Sequence, residues 1–75
     1  MSPSGNEKRL KNRVREMRIK AALTQEQLGI SVKLTRQSII AIEKGRFTPS
    51  VATALRLASA LATTVDDLFW IEKEE

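Results

Sequence analysis

Cysteine, histidine and tyrosine are absent from this 75-residue chain, which carries only three glycines, two prolines, one tryptophan and two phenylalanines. Without cysteine there is no disulfide framework and no thiolate metal site, and without histidine the common zinc constellations are excluded too. Neither metal nor cofactor is expected. The same absences remove the usual nucleophiles and general bases, and no glycine-rich phosphate loop is present, so enzymatic chemistry is disfavoured. No stretch approaches the roughly 20 apolar residues of a membrane span. The N-terminal MSPSGN lacks the apolar core of a signal peptide. These features predict a cytoplasmic protein of one domain, with a core only marginally large enough to sustain itself.

Charge is present but unevenly placed. Lys8, Arg9, Lys11, Arg13, Arg15, Arg18 and Lys20 crowd the first twenty residues, whereas Asp66, Asp67, Glu72, Glu74 and Glu75 make the C-terminal end acidic. The net charge is +4 and the sequence pI about 10.0. A basic half of this kind suits a polyanion such as DNA, although solvated helix faces would look the same.

Apolar spacing then divides the chain into helices. Leu10, Val14, Met17 and Ala21 form one stripe and predict a first helix from about Glu7 to Ala21. Thr24 is a helix-start residue, with Gln27 placed to reach back to it and Leu23 and Leu28 at the positions of a hydrophobic staple. The pattern recurs eleven residues later, with Thr35 as cap and Leu34 and Ile39 as staple. A second helix therefore spans Gln25 to about Val32, and a third Arg36 to Lys44, stopped at Gly45. Pro49 and Ser50 open a fourth, striped by Val51, Ala54, Leu55, Ala58 and Leu61. Thr64 caps a fifth, whose first turn carries Asp66 and Asp67. Val65, Leu68 and Phe69 supply its buried side. No alternating pattern appears until the final FWI.

Two helices joined by so short a turn cannot lie antiparallel, so they cross steeply as a helix-turn-helix. TQEQL, VKLTRQSI, AIEKGRFTPS and TVDDLF together resemble the phage repressor and Cro-like (Xre-type) helix-turn-helix proteins over about residues 8–70. The resemblance implies an all-α, lambda-repressor-like five-helix bundle, with a short strand admissible at its C-terminal end. Residues 1–6 would be a flexible lead, 7–71 the domain and 72–75 an acidic tail. The chain departs from the family where Ala22, Lys33 and Ala62 stand in place of customary glycines. If φ is positive there, each costs about 1 kcal/mol. Gly29 occupies a position where the family usually has alanine, and it permits a close backbone approach.

With Ile39 and Ile42 turned inward, Gln37 and Lys44 point outward, Ile40 and Ala41 flank them, and Arg36 and Ser38 stand at the sides. Gln37 and Arg36 are the leading base readers, since glutamine can bond adenine N6 and N7. The family resemblance points to the same two positions. Ile40 is expected to meet a thymine methyl, the alternative being that it packs under the loop of residues 46–49. Gln25 resembles the family residue that bonds phosphate while bracing the recognition helix. Thr35, Lys44 and Arg46 are further phosphate contacts. The family pattern also pairs Glu43 with Arg18 in an ion pair that orients the third helix.

The expected function is sequence-specific DNA binding by a transcriptional regulator, a repressor acting on a palindromic operator as a homodimer. An antitoxin or adaptor that binds protein is the alternative. Double-stranded DNA and a second copy are the expected partners, with no membrane and no small-molecule ligand. Phe69, Trp70 and Ile71 leave few residues to cover them. They are expected either to cap the chain's own bundle or, preferentially, to form a dimer interface of paired tails.

Overall fold

The structure, a computed structural model, describes residues 9–72. A strand β1 (Arg9–Asn12) precedes five helices: α1 (Val14–Lys20), α2 (Gln25–Val32), α3 (Arg36–Glu43), α4 (Val51–Ala60) and α5 (Val65–Leu68). A second strand β2 (Phe69–Glu72) follows. The strands pair antiparallel, with Arg9 opposite Glu72, Leu10 opposite Ile71, Lys11 opposite Trp70 and Asn12 opposite Phe69. The fold is therefore a helix bundle closed by a small sheet and not all-α. Residues 9–12, expected in the first helix, are strand. The lead at 1–6 and residues 73–75 of the tail lie outside the described residues.

Asn12 explains the change from strand to helix. Its Oδ1 accepts from Val14 N–H at 2.9 Å and its amide donates to the Ile42 carbonyl at 3.0 Å. One side chain thus ends the strand, meets an early N–H of α1 and ties that junction to the last turn of α3. Val14, Leu28, Val32, Ile39, Ile42, Leu57 and Leu68 are essentially fully buried, so each helix contributes to a single core. Leu23 and Leu34 pack against it part-buried, as staple residues should. Ala21 is exposed, because α1 ends one residue earlier than the stripe suggested.

Local caps position the helices. Thr24 accepts from Gln27 N–H at 3.0 Å while the Gln27 side chain accepts from Thr24 N–H at 2.8 Å, a complete capping box. Thr35, Ser50 and Thr64 each accept from the N–H three residues on. At the other ends, α1 to α4 all finish in the same 6→1 and 5→2 bonding. The pairs are Leu23 N–H to Arg18 O with Ala22 N–H to Ile19 O, and Leu34 N–H to Gly29 O with Lys33 N–H to Ile30 O. Arg46 N–H to Ala41 O goes with Gly45 N–H to Ile42 O, and Thr63 N–H to Ala58 O with Ala62 N–H to Ser59 O.

The motif needs one left-handed residue, and only α3 has glycine there, at φ 77°; Ala22, Lys33 and Ala62 hold φ of 61°, 64° and 57°. A Cβ in that region crowds the following carbonyl at a cost of about 1–2 kcal/mol, part of which glycine gives back as unfolded-chain entropy. Lys33→Gly should therefore stabilise the domain by about 1 kcal/mol, or several degrees in Tm. A thermal melt in which Lys33→Gly lowers Tm would show that the lysine side chain makes a compensating contact.

Candidate nucleic-acid interface

α2, a turn of residues 33–35 and α3 make the helix-turn-helix. Arg36 and Gln37 are fully exposed in the first turn of α3, Ser38 is part-buried, and Ile39 and Ile42 are sunk in the core. The outward face of α3 thus opens with a guanidinium and an amide, the two groups best suited to bidentate bonding with guanine and adenine edges. Ile40 and Ala41 lie half-buried beside them. Lys44 and Arg46 are exposed where α3 gives way to the loop. Thr35 is exposed, but its hydroxyl already accepts from Ser38 N–H at 3.1 Å and donates to Ser38 Oγ at 3.1 Å. A phosphate oxygen needs a donor, so it would have to take that single proton from Ser38.

Behind this face lies the polar cluster that fixes it. Arg18 Nε donates to Glu43 Oε2 at 2.6 Å, with the second guanidinium nitrogen 3.4 Å from Oε1. The remaining terminal nitrogen donates to the Leu23 carbonyl at 2.9 Å, and Gln25 Nε2 donates to Glu43 Oε1 at 3.1 Å. The side chains of Arg18 and Glu43 are only 11% and 4% exposed. α1, the start of α2 and the last turn of α3 therefore meet at one carboxylate with several charge-assisted bonds. No buried side-chain polar atom among the described residues is without a partner. With its amide turned to Glu43, Gln25 braces the recognition helix, while its backbone opens α2.

Sequence reasoning passed over Arg15. It lies exposed one turn before Arg18 and lines, with Arg18, Thr24, Gln25 and Arg36, an open cleft of about 540 Å³ at the start of α2. Its i, i+3 spacing from Arg18 was the available signal, since residues so spaced share a helix face.

The tail is placed differently from the paired-tail expectation. Phe69 is 9% exposed inside the chain's own core, and β2 is hydrogen-bonded to β1 of the same chain. Phe69 is thus covered without a partner, because the N-terminal strand supplies the pairing that a second tail was expected to give. Trp70 remains 38% and Ile71 52% exposed, and the Arg13 guanidinium lies 4.7 Å from the Trp70 ring centroid. No group of acidic, cysteine or histidine residues placed to hold a metal occurs among the described residues, and no helix is long and apolar enough to cross a membrane.

Comparison with known proteins gives a consistent picture. The helix-turn-helix family model matches residues 14–68. The uncharacterized HTH-type transcriptional regulator YgzD of Bacillus subtilis is 43% identical over 65 residues, covering 87% of this chain and 98% of that protein. An HTH-type transcriptional regulator of Methanothermobacter thermautotrophicus is 45% identical over 62 residues, covering 81% of this chain and 90% of its own length. Among solved structures, the restriction-modification controller protein C.AhdI from Aeromonas hydrophila superposes with a TM-score of 0.69 at 34% identity. That superposition covers 75% of this chain and 81% of that one.

Proposed function

Because the chain belongs to the helix-turn-helix family of transcriptional regulators, we propose that it binds a palindromic operator as a homodimer and represses transcription by occupying it. The observation that carries this reading is the first turn of α3. Arg36 and Gln37 project free of the chain's own polar groups, from a helix whose other end is held by the Arg18, Glu43 and Gln25 cluster. Rigid support of that kind favours reading sequence over merely clinging to phosphate. Repression by occupancy is the simplest outcome for so small a chain, and likeness to a controller protein supports control of transcription as the task.

A lone domain of this size reaches few base pairs, whereas a two-fold dimer reads two half-sites about 10 bp apart. Trp70 and Ile71, still exposed beside the sheet, are the tail residues available for that contact. Sedimentation at micromolar concentration should show a dimer that Ile71→Asp weakens. A wild-type monomer even on its DNA would sink the dimer.

Selection from a random duplex pool separates readers from anchors. Gln37→Ala should change the selected sequence, with about 1–3 kcal/mol lost at the base it reads. Lys44→Ala should weaken all sequences alike and make the salt dependence shallower by about one unit of log K per log salt. Equal loss on every sequence for both variants would remove Gln37 from the reading role.

A further inference from the structure

The cations crowded near the N-terminal end are not accounted for by the recognition helix. Arg9 and Lys11, two apart on β1, share one face of the strand and are both exposed. With Lys44 they line an open cleft of about 280 Å³, whose remaining walls are Leu10 and Gly45. Three cations from two elements thus converge beside the C-terminal end of α3. One carboxylate stands near, that of Glu72, which is opposite Arg9 in the ladder and has Oε1 3.8 Å from Lys11 Nζ. That pair is about half exposed on both sides and binds weakly. The carbonyls of the last turn are already taken. Ile40 O accepts from Lys44 N–H, Ala41 O from Arg46 N–H, and Ile42 O from Gly45 N–H and the Asn12 amide. The protein itself therefore supplies less negative charge here than the three cations carry, and a polyanion would relieve their repulsion.

We propose that this cleft is a second phosphate-binding surface, on which the DNA backbone rests beyond the end of the recognition helix, with Arg9 and Lys11 as ligands alongside Lys44. The sheet would then extend the DNA footprint as well as covering Phe69. This inference rests on the DNA-binding reading above.

The test compares full-length wild type with the double variant Arg9→Gln, Lys11→Gln. Binding to a selected duplex and to a scrambled one is followed by fluorescence anisotropy from 50 to 200 mM salt. The double variant should lose about tenfold in affinity on both duplexes at the low-salt end, with the log–log salt slope shallower by about two. The selected sequence should be unchanged. Glu72→Gln, which frees Lys11, should bind about twofold tighter. The charge-conserving pair Arg9→Lys, Lys11→Arg should keep the wild-type slope, which guards against a mere folding defect. Wild-type binding with an unaltered slope in the double variant overturns the inference. If wild type itself shows no salt-dependent DNA binding, the DNA reading fails and this surface fails with it.

Discussion

Arg18→Met should be the most damaging single substitution in the chain, costing about 3–5 kcal/mol of folding stability. The variant keeps most of the side-chain volume but leaves Glu43, whose side chain is 4% exposed, with the Gln25 amide as its remaining side-chain partner. A domain of this length holds on the order of 4–11 kcal/mol in total, so a large fraction of the variant would be unfolded at physiological temperature. The double variant Arg18→Met, Glu43→Leu should recover most of the loss, because removing both charges removes the desolvation cost with the attraction. It should still bind DNA less well, since α3 would have lost the bond that sets its orientation. Urea titrations followed by circular dichroism measure both outcomes. A single variant within about 1 kcal/mol of wild type would mean that Glu43 finds water or another cation.

Gly29→Ala comes second in size, and its sign opposes helix propensity. Alanine in mid-helix is ordinarily worth about 1 kcal/mol over glycine. Here a Cβ would sit 2.7 Å from the Leu34 carbonyl oxygen and 3.4 Å from the Thr35 carbonyl carbon, both backbone atoms of the turn leading into α3. Neither can swing aside as a side chain would. Gly29 O also accepts from Leu34 N–H at 2.8 Å, which holds the two segments together. The expected net result is a loss of about 1–3 kcal/mol from overpacking. DNA affinity should fall further than stability alone explains, because the displaced segment carries Thr35 and Arg36. A rise in Tm would show that the turn relaxes freely, contrary to this account.

How far the sequence revealed these features depended on the range of the interaction. The caps at Thr24, Thr35, Ser50 and Thr64 each act over three residues, and they fixed the starts of α2 to α5. The phase of α3 followed from Ile39 and Ile42, which is why Arg36 and Gln37 could be placed outward before any coordinates. β1 could not be read so. Leu10 completes a helical stripe with Val14 and Met17, and four residues are too few to establish an alternation. What makes them a strand is pairing with β2 from the far end of the chain, a contact without local signature. Asn12 was the missed hint, an N-cap type residue just ahead of Val14. The same distant pairing concealed the fate of Phe69 and the meeting of Arg9 and Lys11 with Lys44. Arg18 and Glu43 also meet across the chain, and their partnership came from family resemblance, not from spacing.

The pairing of β1 with β2 has a mechanical meaning. Antiparallel strands that place Arg9 opposite Glu72 bring both ends of the domain out on the same side. A pull on the two ends loads the ladder one rung at a time, starting at Arg9 and Glu72 and running toward Asn12 and Phe69. The clasp thus peels like a zip before any load reaches Val14 and α1. Tension on the ends would first strip the sheet and uncover Phe69, while α2 and α3 remain slack behind it.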